Sequence, residues 1–333
     1  MKRIFLITFA FIATVITMAQ NIAVVSPSNK TTIYQTLDEA ITGAEDGSII
    51  YLPGGGFQIK DETMIDKKLT IMGVSHRGDT DNVDGATMIA GNLNFIEGSS
   101  ESAIIGLYVY GNINIGTEEA SVSNIVVKYC NLNSIQVKNA DCSGIIINQS
   151  YVRSNSNFGN SNANITNCIT ACIENVVGGT ILYNMVLGVT RIYLKEGIYA
   201  NFCMWNIKNT NITGNFCLGE GFIRQRSDVL KVAVDNCSGS NNYNTNWGDD
   251  PIVIDGNASD FFVNWNEGKI SPASNFHFKA PYSDYENKVG IYAGSSFKDS
   301  TSLAPIPRIV SKKIDEQTDG SGKLHIEVTI KAK

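Results

Sequence analysis

Short apolar pulses recur through the middle of the chain at a nearly constant spacing. From about Ser102 to Asn215 they read AIIGLYVYG, NIVVKYCNLN, GIIINQSY, NITNCIT, TILYNMVLG and YANFCMWNI, separated by Asn, Gly and Ser. Ile104, Ile125, Ile145 and Ile165 fall at matching points, their numbers differing by 21, 20 and 20. Asn167, Asn184 and Asn201 then recur in steps of 17. Self-similarity with a period of about 20 residues implies stacked units, none of which buries its apolar face alone. The pulses are too short for helices and rich in β-branched residues, so the repeating unit is a strand. The pattern predicts an all-β solenoid. Asn at recurrent corners (Asn124, Asn131, Asn148, Asn164, Asn167, Asn184, Asn201) suits stacked turns, because Asn tolerates left-handed backbone and its amide can bond the next coil.

The ends of the chain read differently. Lys2 and Arg3 precede an apolar run from Ile4 to Ile16, and Thr17, Met18 and Ala19 supply small residues for a signal peptidase. Residues 1–19 are therefore read as a signal peptide, with cleavage before Gln20 and a secreted or cell-surface destination. No Cys follows that point before Cys130, which argues against a lipoprotein anchor, and no later stretch is apolar enough to span a bilayer. The net charge of −6 argues against nucleic acid as a partner, since that binding needs a basic footprint. The 7 Cys include no CxxC pair and His numbers only 3, so no metal site is expected. The cysteines are read as small apolar filler, with disulfides as the alternative.

Ahead of the repeats, Thr36 and Glu39 form a capping box, and Leu37, Ala40, Ile41 and Ala44 follow at helical spacing. This predicts a short amphipathic helix, placed to cover the open end of the first coil. The stretch LDEAI…GAEDGSIIYLPGGGFQI…KKLTIMGVS resembles the opening coil of right-handed parallel β-helix proteins of the pectin-lyase-like superfamily. The stretch DFFVN…SNFHFKAPYSDYENKVGIYAG is similar to the final coil of many bacterial secreted β-helix proteins. The resemblance implies a right-handed parallel β-helix over residues 20–300. Beyond Pro305 and Pro307, residues 301–333 read as a linker and a two-strand extension, expected to pack on the solenoid or a neighbour. That extension resembles the short C-terminal extensions of secreted Bacteroidetes proteins.

Solenoids present long parallel surfaces suited to extended polymers, so an extracellular glycan is the expected partner. Two clusters are candidates. Alternation along VTRIYLK puts Arg191, Tyr193 and Lys195 on one face, and steps of 17 bring in Lys208 and the pair Arg224 and Arg226. Such a column of cations would hold the carboxylates of an anionic glycan. Tyr243, Trp247, Asp249 and Asp250 form the second cluster, an aromatic surface beside carboxylates. Two adjacent carboxylates fall short of the roughly six to eight oxygens that calcium takes, so no cofactor is expected. Neither the polygalacturonase nor the pectate-lyase motif set is present, and His76 and His277 have no acidic partner nearby in sequence. The chain is read as a glycan-binding or structural protein, with a lyase acting on a uronic-acid glycan as the alternative.

Overall fold

Strand follows strand in rotation through three parallel ladders. The computed structural model describes residues 21–77, 85–188, 191–195, 198–201, 204–217, 234–240, 242, 258–265, 274–293, 297, 308–315, 317–318 and 320–331. Residues 1–19, read above as a signal peptide, lie outside these residues. The first ladder runs through Ser48–Leu52, Leu69–Gly73, Ala103–Ile105, Val126–Lys128, Ile145–Asn148 and Asn211–Thr213. Between the last two it takes the final residues of two long strands, Tyr151–Thr166 and Ile169–Leu182. The second joins Gly55–Gln58, Thr87–Ala90, Tyr108–Val109, Asn131–Leu132, the starts of the two long strands, Met185–Val186 and Phe216–Cys217. The third joins Met64–Ile65, Leu93–Phe95, Ile113–Ile115, Ile135–Val137, the middles of the long strands and Met204–Trp205. The result is a long, mostly parallel sheet compatible with a solenoid.

The register is more exact than the sequence period. In the first ladder Ile50, Ile71, Ile104, Val127, Ile147, Ile165, Ile181 and Ile212 stand side by side, although the spacing between them is uneven. Ile125 and Ile145, expected in that row, sit two positions upstream of it. A shift of two leaves a side chain on the same face of a strand, so both are still fully buried. The long steps are insertions. The step from Ile71 to Ile104 contains the polar excursion after Gly73. The step from Ile181 to Ile212 contains a hairpin in which Arg191–Lys195 pairs antiparallel with Ile198–Asn201. The expected Asn recurrence is corrected accordingly: the partner of Asn184 in its stack is Asn215, on the far side of that hairpin, and not Asn201.

That stack is a buried polar ladder at one corner. Each coil turns there through a residue with positive φ: Gly106, Tyr129, Gln149, Asn167, Tyr183 and Gly214. The residues immediately after it include Cys130, Ser150, Cys168, Asn184 and Asn215. The Cys130 amide donates to Ser150 Oγ (3.2 Å), the Cys168 amide to Asn184 Oδ1 (2.8 Å), and the Asn184 amide to Asn215 Oδ1 (3.0 Å). The Asn215 amide donates to Asn242 Oδ1 (3.2 Å). Asn215 Nδ2 donates to the carbonyls of Ile181 and Thr213. Both partners in such a bond are sealed from water, so each must be satisfied within the protein.

At the start of the chain, β1 (Ile22–Val25) pairs antiparallel with β2 (Thr31–Tyr34) and with β3 (Ser48–Leu52). The intervening helix α1 spans Leu37–Gly43, with Thr36 as its N-cap and Leu37, Ala40 and Ile41 as its buried residues. Thr36 Oγ1 accepts from the Glu39 amide at 3.2 Å. Six cysteines are among the described residues, none in a disulfide; five are buried and Cys237 is partly so. Burial pushes the thiols of Cys130 and Cys168 up to about 12, as expected of filler.

A second apolar cluster lies outside the first. Tyr151, Ile169, Ala171, Met185, Leu187 and Phe216, on or beside the second ladder, pack with Phe261, Phe262, Phe276, Phe278, Val289, Ile291 and Phe297. The segment expected to be a final coil is thus a lateral arm. Its strands Phe262–Asn264 and Asn275–Phe278 pair antiparallel with each other. Phe216 meets the rings of Phe261, Phe262 and Phe278 edge-on at 5.3, 5.4 and 5.1 Å. Asn167 Nδ2 donates to Ile291 O (2.8 Å) and the Gly290 amide to Gly214 O (2.7 Å), fastening the arm to two coils. In the extension, Arg308–Ile314 pairs antiparallel with Ile326–Lys331, while Ile314, Leu324, Ile326, Val328 and Ile330 are exposed. No described helix is long and apolar enough to cross a membrane.

The polar ladder gives a direct test. Asn215→Ala orphans the Asn184 amide in a dry site and is expected to lower the free energy of unfolding by about 2–4 kcal/mol in chemical denaturation. Asn114 occupies a half-buried position with an amide contact to Asn94 at 2.7 Å. Asn114→Ala is expected to cost less than about 1 kcal/mol in the same measurement.

Candidate functional site

Within the described residues, Arg191 and Lys208 of the expected cationic column are not neighbours in the backbone register. Arg191, Tyr193 and Lys195 lie on the inserted hairpin, where Arg191 opposes Asn201 and a bulge between Tyr193 and Lys195 interrupts the alternation. Their side chains are outside the described residues. Lys208 is exposed, and its neighbours in register are Val177 and Asp235 rather than Arg191. Arg224, Arg226, Tyr243, Trp247, Asp249 and Asp250 lie outside the described residues. Trp265 packs on the arm, its ring 6.1 Å from Phe262 and 6.0 Å from Phe276.

The described surface concentrates its chemistry elsewhere, around the turn between the second and third ladders. In LYVYG, Val109 points into the core and period-2 alternation turns Tyr108 and Tyr110 outward. Tyr110 is 56% exposed, and the two rings lie 4.7 Å apart. Arg153 arrives from two coils further on and sets its guanidinium 4.6 Å over the Tyr108 ring. Its Nη1 donates to Asn131 Oδ1, in the coil between, and its Nη2 to the carbonyls of Val109 (3.0 Å) and Tyr110 (3.4 Å). Burial lowers the Arg153 pKa from its ordinary value, with Tyr108 and Tyr110 opposing. The guanidinium is therefore used to hold the two tyrosines on their coil.

Beside the tyrosines runs a register-aligned column of outward side chains on the third ladder: Asn94, Asn114, Gln136, Asn157 and Glu174. Asn114 Nδ2 donates to Asn94 Oδ1 (2.7 Å), and Gln136 Nε2 to Ser134 Oγ (3.0 Å) and Asn155 O (3.2 Å). Asn157 Oδ1 accepts from the Gly159 amide and from Asn175 Nδ2, both at 2.9 Å. At the adjoining corner, Asn133 Nδ2 donates to Asn112 Oδ1 (2.8 Å) and Ser154 Oγ to Asn133 Oδ1 (2.9 Å). Burial raises the pKa of Glu174, while hydrogen bonds from Cys172 and Asn155 pull it back. Buried Cys172 is held well above the ordinary thiol value, by burial first and then by the Glu174 charge. A thiol so protonated is a poor nucleophile.

Two histidines complete the inventory. His277 has an acidic partner after all: its Nδ1 lies 2.6 Å from Glu286 Oε1, and its ring stacks on Tyr292 at 4.0 Å and 5°. Glu286 Oε2 also accepts from the Phe278 amide (3.2 Å), so the pair closes the turn of the arm upon its strand. The intervening turn hides this contact in the sequence. His76 is 3% exposed, meets the Tyr151 ring at 5.4 Å, and has no hydrogen-bond partner on either ring nitrogen among the described residues.

No protein-family model, no curated protein and no solved structure matches the chain.

His76 makes the stability of this region pH-dependent. Burial lowers its pKa to about 3, with the neighbouring Arg77 charge adding to the effect, whereas in the unfolded chain it titrates near about 6.5. Between those values the unfolded state binds a proton that the folded state refuses, so stability falls as pH is lowered from about 6.5 toward 3. His76→Phe removes that dependence and a buried unpaired N–H together. The variant is expected to match or exceed the parent at pH 8, with its advantage widening by roughly 1 kcal/mol per pH unit below about 6.5. Unfolding curves at pH 8, 6 and 4 measure this.

Proposed function

We propose that this chain is a secreted or cell-surface right-handed parallel β-helix protein of the pectin-lyase-like type, that α1 covers its first coil, and that it binds an extracellular polysaccharide without catalysis. The observation that carries the binding reading is the exposed Tyr110 ring, set against half-buried Tyr108, on the coil that also carries Asn114 of the column Asn94, Asn114, Gln136 and Asn157. An aromatic ring covers the flat C–H face of a sugar, and carboxamides pair with hydroxyls as either donors or acceptors. Neighbouring coils repeat at about 4.8 Å. A polymer of sugars of comparable length could therefore meet equivalent side chains on successive coils. The reading without catalysis is supported by the candidate groups: burial holds the Cys172 thiol well above its ordinary value, and among the described residues Glu174 has no second carboxylate in its column with which to act on a glycosidic bond.

Affinity electrophoresis through gels containing individual plant, algal and microbial polysaccharides tests the reading. Retardation by at least one polymer is expected, with Tyr110→Ala reducing the association constant at least tenfold at an unchanged unfolding midpoint. No retardation on any polymer overturns binding. Accumulation of unsaturated uronate product, followed by its ultraviolet absorbance, would instead establish the lyase alternative.

A further inference from the structure

We infer that the polymer taken by the Tyr108–Tyr110 surface is neutral, a conclusion that rests on the glycan-binding reading and narrows it. Recognition of a polyanion needs donors with charge to spare, and this flank has little. Residues 88–96, 108–118, 131–141, 151–162 and 169–178 carry Lys138 and Arg153 as their only cations, against Glu118, Asp141 and Glu174. Arg153 is half-buried and already engaged with Asn131 Oδ1 and two backbone carbonyls, and its plane covers Tyr108. Among the described residues no cation stands beside Glu174, so a carboxylate-bearing chain there would meet an uncompensated charge, and desolvating an unpaired charge is costly.

What the flank does offer is neutral and two-signed. Among the described residues Asn114 Oδ1 and Gln136 Oε1 accept no hydrogen bond from the protein, and Asn157 Nδ2 donates none. All three side chains are half-buried, so they are held in place yet reach solvent. Register makes Asn114, Gln136 and Asn157 direct neighbours on three successive coils. Two acceptors followed by a donor match hydroxyl groups, which supply both, and match carboxylates poorly, since carboxylates only accept. The Tyr110 ring, exposed on the same coil as Asn114, supplies the apolar contact that a neutral sugar face can use.

The test compares a neutral β-glucan, a mannan and a xylan with polygalacturonate, each at about 20 mM and about 500 mM NaCl, salts that screen ion pairs to very different degrees. At least one neutral polymer is expected to be bound with an affinity that changes less than about twofold between the salts, because no ion pair is screened. Asn114→Ala combined with Gln136→Ala is expected to weaken that binding at least tenfold while leaving the unfolding midpoint within a few degrees. Both positions are partly exposed, and Tyr110→Ala serves as a second, independent variant at an exposed site. Preference for polygalacturonate, lost at the higher salt, overturns neutral recognition while leaving polysaccharide binding intact. Binding of a neutral polymer that both the double variant and Tyr110→Ala leave unchanged overturns this surface as its site. Failure to bind any of the four, when other polymers retard the chain in gels, overturns the class; failure with every polymer overturns the binding reading itself.

Discussion

The backbone of a stacked coil has nowhere to find hydrogen bonds except in the coils on either side of it. Strands meet that demand through their ladders, and the left-handed corner residues still donate to the next coil, as Asn167 does to the Leu182 carbonyl, but the amide that follows each of them needs another acceptor. Here one corner is served by side chains. Ser150, Asn184, Asn215 and Asn242 each accept an amide from the coil before, and Asn215 returns its own donors to two carbonyls. A carboxamide suits this place because it carries donor and acceptor together, and the left-handed residue before it aims the chain inward. The isoleucine rows of the first ladder can face the interior because the corners are settled in this way.

The second consequence of stacking is that both faces of a strand must be provided for. Inward residues of the second ladder, such as Val109 and Leu132, join the core. Outward residues change character along the stack, from Met88 and Tyr108 through Asn131 to Tyr151, Ile169, Met185 and Phe216. The later part is covered by the aromatic arm, and Arg153 marks the transition, reaching back from Tyr151's coil to Tyr108's. The open part of the same stripe is where the tyrosines stand. An open surface and a buried interface are thus two stretches of one feature, separated by an asparagine and an arginine.

Much of this is legible in the chain because stacking is periodic and periodicity survives in sequence. Ile104 and Ile165 stand where the period puts them, and Ile125 and Ile145 stand two positions away, a displacement the pleat forgives. Thr36 announces its helix through a local rule that needs no tertiary context. What fails is any inference carried across an insertion. The hairpin formed by Arg191–Lys195 and Ile198–Asn201 adds length between Ile181 and Ile212 without altering their pairing. Counting by 17 therefore leads from Asn184 to Asn201 rather than to Asn215. The surface of Tyr108, Tyr110 and Arg153 escapes for a related reason. Arg153 lies 43 positions from Tyr110 and 45 from Tyr108, and no local pattern joins them. The YVYG alternation alone is enough to flag both rings as outward.

The arm fastens to the long parallel sheet over a long stretch of chain: Asn167 waits for Ile291, 124 positions later. Coils can form as soon as their neighbours exist, whereas the cover of the outer stripe belongs to the last third of the polypeptide. At about 5–20 residues per second, synthesis leaves Tyr151, Ile169 and Met185 bare for on the order of 10 s. During that interval the molecule is a growing rod with a greasy seam. The stripe closes only when the phenylalanines arrive.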